Sequence, residues 1–156
     1  MKIFLALAPT RSEMSDKLIV FLLYVYLYNP SMKPQFIDHI VIIVRNIVET
    51  ERFYSNFLGE PIHLDKEQVA YNINDTKIFF GLPYGEWENR DKDKSGLNHL
   101  AFGVRTAGEL RSFERLLNEA SIKNSGIKID KYGDKEFIWF DDPSGIRLEF
   151  YCRPLE

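Results

Sequence analysis

Between Phe36 and Arg105 the chain twice alternates apolar and polar residues and then shifts to a helical period. Ile37–Arg45, "IDHIVIIVR", reads as a strand, and Leu97–Arg105, "LNHLAFGVR", matches it at an offset of 60. His39 meets His99, Val44 meets Val104 and Arg45 meets Arg105. In each copy a helix N-cap follows, Asn46 or Thr106, with Glu49 or Glu109 at the third helical position, so both copies predict a capping box. Phe53 then meets Phe113 and Phe57 meets Leu117, the apolar stripe of a helix about three turns long. Gly59 stops the first helix, and the second runs to about Ala120.

Short strand-like runs follow each helix. They are "EPIHLD", "QVAYNI" and "TKIFFG" in the first copy, and "GIKIDKY", "KEFIWF" and "IRLEFY" in the second. Asn74-Asp75, Gly133-Asp134 and Asp142-Pro143-Ser144-Gly145 mark turns. At an offset of 70, Lys77 meets Arg147 and Phe80 meets Phe150. The prediction is an α+β protein made of two βαβββ modules, residues 35–83 and 96–153, joined by a charged linker over 84–95. A module of about 50 residues is too small for a core of its own, so the two should pack together. The simplest arrangement is one curved, incomplete barrel with the helices outside.

Residues 1–34 read differently, as an N-terminal extension. The apolar run Leu18–Tyr28 is eleven residues long, short of the roughly 18–20 a spanning helix needs. It predicts a docked helix, or an upstream extension with translation starting at Met32, and no firm membrane signal. A net charge of -3 gives no case for nucleic acid. One cysteine, Cys152, suits a reducing cytoplasm and excludes an internal disulfide framework.

Strand alternation assigns faces. Ile40, Ile42 and Val44 should lie under the Phe53/Phe57 helix, leaving His39, Val41 and Ile43 on the opposite face. By the same logic His99, Ala101 and Gly103, with Arg147, Glu149 and Tyr151, face away from the second helix. Two imidazoles and one carboxylate with open positions left over suit a divalent metal. Alternatively, Glu149 forms an ion pair with Arg147 or Lys77, and the histidines are ordinary polar strand residues. Ser144 has no nucleophile-elbow context, and no phosphate-binding glycine loop is present.

The doubled module, together with "IDHIVI", "LNHLAF" and "FDDPSGIRLEFY", resembles the vicinal oxygen chelate superfamily, which includes glyoxalase I, fosfomycin-resistance proteins, extradiol dioxygenases and bleomycin-binding proteins. The resemblance covers Phe36 to about Arg153. It implies His39, His99 and Glu149 as ligands of a divalent ion (Mn, Fe, Ni or Zn), a small-molecule substrate and a homodimer in which modules are sometimes exchanged. Phe79 stands where four-ligand members carry an extra acid, which weakens a glyoxalase I reading. Trp139 replaces the tyrosine of extradiol dioxygenases, which weakens ring cleavage. The three-ligand pattern looks most like the fosfomycin-resistance branch, in which Glu67 would be the candidate base, with Gln68 fitting the same place. Phe79, Trp139, Arg147 and Tyr151 are candidate substrate contacts. The resemblance thus implies a metal-dependent lyase, isomerase or epoxide-opening enzyme; the alternative is a metal-free binder of the bleomycin-resistance type.

Overall fold

A computed structural model describes residues 18–20, 34–87, 91 and 93–154. Ile37–Glu156 forms one compact unit, separate from Met1–Phe36. Most of the apolar run Leu18–Tyr28, and part of the charged linker, lie outside the described residues. Among the described residues, no helix is long and apolar enough to cross a membrane.

The first module runs β1 (His39–Ile43), α1 (Ile47–Leu58), β2 (His63–Leu64), β3 (Gln68–Ile73) and β4 (Thr76–Gly81). The second repeats it as β5 (His99–Val104), α2 (Ala107–Glu119), β6 (Lys128–Ile129), β7 (Glu136–Asp141) and β8 (Arg147–Cys152). Each module builds a four-stranded sheet, ordered β1-β4-β3-β2 and β5-β8-β7-β6. The first and last strands of each module pair in parallel, and the others are antiparallel. The α+β class and the doubled module are therefore as the sequence predicts. The two sheets are not joined into one: β1 and β5 each stand at a sheet edge.

Helix caps follow the predicted residues, with one difference. Thr106 and Glu109 complete a reciprocal capping box at α2. At α1 the Asn46 side chain accepts from the Glu49 backbone N–H at 3.0 Å, which is one half of the box. Gly59, at φ 80, ends α1 in a backbone conformation costly to residues with a Cβ.

Alternation places the apolar faces as predicted. Ile42, Val44, Ile78, Phe80, Leu148, Phe150 and Cys152 are buried. They belong to one core shared by both modules. The helix contacts, however, differ from the simple expectation that α1 covers its own sheet. Tyr54 does so, stacking on Phe80 with ring centroids 4.1 Å apart. Phe57 instead reaches the second module, meeting Phe150 at 5.4 Å, Phe140 at 5.9 Å and Phe102 at 6.0 Å. Phe53, Tyr54 and Phe57 lie within one arc of about 100° on the helix, and that single stripe is wide enough to touch both sheets. Phe113 of α2 stacks on Phe150 at 4.1 Å.

Polar bonds reinforce this packing. The buried Tyr54 hydroxyl donates to Asp142 Oδ2 at 3.0 Å. Asp142 Oδ1 accepts the backbone N–H groups of Ser144 and Ile146, each at 2.8 Å, and so organises the turn into β8. Arg45 donates its backbone N–H to Ser144 Oγ at 3.1 Å and its guanidinium to the Pro143 carbonyl. With both helix-side faces in a common core, the opposite faces of the two sheets turn away from it. Those are the faces that carry the histidines.

Candidate functional site

His39 opens β1 on the exposed face, opposite Lys77 in the register. His99 opens β5 in the equivalent place, opposite Arg147. Each ring is held by the residue before it. His39 Nδ1 lies 2.8 Å from Asp38 Oδ2, and His99 Nδ1 lies 2.9 Å from Asn98 Oδ1. The hydrogen bond from His39 holds the Asp38 carboxyl below its ordinary range. Those contacts engage Nδ1 in both rings and leave Nε2 as the remaining ring nitrogen.

Glu149 is the neighbour of Ala101 across β5–β8 and of Trp139 across β7–β8. Its Oε2 stands 3.8 Å from His99 Nε2, and its side chain is only 15% exposed. Arg147 does not pair with it. The Arg147 guanidinium binds Asp141 at 3.1 Å and lies over the Trp139 ring, 3.9 Å from the centroid. The ion-pair alternative for Glu149 with Arg147 is thus not the one the fold adopts.

His99, Ala101, Gly103, Glu149, Tyr151 and Arg153 line a pocket of ≈ 300 Å³. Within it, Tyr151 donates its hydroxyl to Asp130 Oδ2 at 2.6 Å. That bond raises the Tyr151 phenol above its ordinary range and lowers the Asp130 carboxyl. Asp130 Oδ1 also accepts the Tyr132 N–H at 3.1 Å, tying the β6–β7 turn to the pocket wall. His39 lines a separate pocket of ≈ 320 Å³ with Asp38, Val41, Gln68, Lys77 and Phe79. Phe79 meets the His39 ring edge-on at 5.9 Å. In the register Phe79 faces Val41 as Glu149 faces Ala101, so it occupies the place an added acid would take.

The predicted residues therefore divide into three groups. His99, Glu149 and Tyr151 come together, while His39 and Phe79 share the other module's pocket. Trp139 and Arg147 border a third pocket of ≈ 380 Å³ with Phe53, Ile122 and Lys123. Among the described residues, no three His, Cys, Asp or Glu side chains gather closely enough to hold a metal ion. Glu67 stands apart: its side chain is 73% exposed and 3.7 Å from Lys66. The cause is local, because Asp65 Oδ1 binds the N–H groups of both Glu67 and Gln68 and leaves Glu67 outside β3. Gln68, the first residue of β3, lines the His39 pocket instead.

Sequence reasoning also missed three side chains. Asp38 and Asn98 had a legible signal, a hydrogen-bonding residue directly before each repeated histidine. Asp130 had none, since only the fold brings it to Tyr151.

Residues 36–150 match the Glyoxalase/Bleomycin resistance protein/Dioxygenase superfamily. The uncharacterized protein YaeR of Escherichia coli K12 is 27% identical over 124 residues, covering 74% of this chain and 94% of that protein. Metallothiol transferase FosB of Staphylococcus haemolyticus is 28% identical over 120 residues, covering 77% and 85%. The solved structure of the fosfomycin resistance protein FosX from Listeria monocytogenes shares the fold, with a TM-score of 0.62 at 20% identity over 79% of this chain and 97% of that one. With the doubled module and the family match over the same residues, this chain belongs to the glyoxalase/bleomycin resistance protein/dioxygenase superfamily.

Proposed function

We propose that this protein is a metal-dependent enzyme acting on a small oxygenated molecule, with its site completed across a homodimer. His99 and Glu149 of one subunit, with the partner subunit's His39, would hold a divalent cation (Mn²⁺, Fe²⁺, Ni²⁺ or Zn²⁺). The observation that carries the reading is the His99 Nε2–Glu149 Oε2 pair, 3.8 Å apart on an open face. With bonds of about 2.0–2.2 Å, neighbouring ligands of one ion stand about 3.0 Å apart at a right angle and about 3.4 Å apart at a tetrahedral one, so closure of the 3.8 Å pair by a few tenths of an ångström would seat an ion between them. Both Nδ1 atoms are engaged by Asp38 and Asn98, leaving the Nε2 lone pairs for ligation.

The packing favours a site that draws on a partner subunit. Both histidine faces turn away from a shared core, so one chain cannot bring them together without opening that core. A second copy also suits the surfaces left open. β1 and β5 are unpaired sheet edges, and Val41 and Ile43 on the His39 face are 57% and 42% exposed.

When bound, the cation supplies Lewis acidity toward a substrate oxygen. The chain's own residues would do the rest. Val41, Phe79 and Ala101 offer an apolar wall, Tyr151 a fixed phenol oxygen, and Arg153 a positive charge at the pocket. With Phe79 in the fourth place, the ligand set has three protein members, which leaves room for a substrate. Similarity to FosB and FosX favours a transferase, epoxide-opening or related lyase or isomerase step. The single cysteine, Cys152, is buried as a free thiol, in keeping with a cytoplasmic enzyme.

Metal analysis of two variants tests the reading. His39→Ala and His99→Ala should each abolish metal uptake alone. After subunit exchange, the mixture should regain metal, because each heterodimer contains one intact site. If the mixture stays metal-free while wild type binds stoichiometrically, the site lies within one chain and the proposal is wrong. If wild type binds no metal yet retains small ligands, the protein is a binding module.

A further inference from the structure

We infer that Asp38 is a positioning residue that sets the tautomer and direction of the His39 ring, and that it supplies the second negative charge of the metal site. The inference rests on the metal reading above and adds a residue to it.

The argument begins with donors and acceptors. An ionised carboxylate can only accept hydrogen bonds, so the 2.8 Å contact from Asp38 Oδ2 requires a proton on His39 Nδ1. A neutral ring protonated there carries its lone pair on Nε2, the nitrogen not engaged by Asp38. Neutral imidazole in water favours the opposite tautomer, so the carboxylate reverses the intrinsic preference. Asn98 makes the same contact to His99 at 2.9 Å, but an amide can present either oxygen or NH₂. A carboxylate thus specifies the Nδ1–H form, which an amide by itself does not.

The backbone fixes where Asp38 stands. Within a continuous strand, residue 38 would point to the face opposite His39. Asp38 instead lies just before β1. Its carbonyl accepts the Lys77 N–H at 2.9 Å, and the Ile37 carbonyl accepts the Thr76 hydroxyl at 2.7 Å. The strand entrance is thereby anchored while the side chain turns back to the ring.

Charge explains why one module uses an acid and the other an amide. In the second module Glu149 already stands 3.8 Å from His99, and a carboxylate at position 98 would add a like charge beside it. In the first module Phe79 holds the equivalent strand position, so the acid enters through the imidazole instead. Together Glu149 and Asp38 supply two negative charges, matching a dication, one by direct contact and one through the His39 ring.

The test uses full-length protein and two independent readouts. Long-range ¹H–¹⁵N NMR of the three histidines at alkaline pH reports each tautomer without metal. Calorimetric titration with Mn²⁺ and with Zn²⁺ reports affinity. Wild-type His39 should be the Nδ1–H form. Asp38→Ala should shift it toward Nε2–H and weaken metal binding by about 10–100-fold. Asp38→Asn, which keeps an acceptor oxygen, should retain the Nδ1–H form and bind metal with intermediate affinity. Unchanged tautomer and unchanged affinity in Asp38→Ala overturn the inference. Wild-type protein that takes up neither ion sinks the metal reading instead, and the ring's positioning then stands or falls on the NMR result.

Discussion

Tyr54→Phe isolates one bond between the modules. It deletes the hydroxyl that donates to Asp142 Oδ2 at 3.0 Å and leaves the ring packed on Phe80. Tyr54 is fully buried and Asp142 is 5% exposed, so water cannot readily replace the lost donor. A buried hydrogen bond to a charged group contributes about 1.5–3 kcal/mol. The expected destabilisation is therefore about 2 kcal/mol. Equilibrium urea unfolding measures it: with a slope of about 2 kcal/mol/M, the midpoint should fall by about 1 M. The slope itself should not change, because the aromatic core stays intact. A shift below about 0.2 M would refute the claim that this bond helps hold the modules together. A changed slope would instead mean that the variant no longer unfolds as one cooperative unit.

The Tyr151–Asp130 bond gives a prediction with two pH limits. Asp130 has a depressed folded pKa, so its contribution is present above the ordinary carboxylate value, near 3.9, and fades as pH falls through the folded value. Tyr151 has a raised folded pKa, so its contribution is complete below the ordinary value, near 10, and fades as pH rises through the folded value. The stability gap between wild type and Tyr151→Phe should therefore form a plateau between about pH 4 and 10 and narrow on both sides; a pH-independent gap in urea unfolding contradicts this account. Phe79→Glu places a carboxylate at the strand position equivalent to Glu149, beside His39. If the dimeric metal site forms, the variant should bind Mn²⁺ at least about tenfold more tightly by calorimetry, in line with a gain of roughly 1.4 kcal/mol from an added charged ligand. Equal or weaker binding would mean position 79 does not face the ion.

Much of the fold was legible because backbone geometry imposes its periods locally. A strand repeats every two residues and a helix every 3.6, so the alternation around His39 and His99 assigned faces before any tertiary contact was known. The repeat at offset 60 added the correspondence between modules. Other features had no local signal. Glu67 and Gln68 are adjacent and equally compatible with the strand start; the Asp65 turn decides that Gln68 enters β3 and lines the pocket. Asp130 and Tyr151 are 21 residues apart and meet only because β6, β7 and β8 share a sheet.

By itself, the sequence determined which side chains share a face: two histidines and a glutamate on the polar sides of strands, and a ladder of apolar residues behind them. Tertiary structure decided which of those faces meet. Phe53 and Phe57 looked like a cover for their own sheet, yet Phe57 packs on Phe102, Phe140 and Phe150 of the other module. Burial of apolar area is non-directional, so periodicity cannot say which of two equally apolar sheets a helix will cover. With the helix-side faces in one core, the histidine faces lie away from it and no three ligating side chains gather among the described residues, while strand order within each module leaves β1 and β5 at sheet edges.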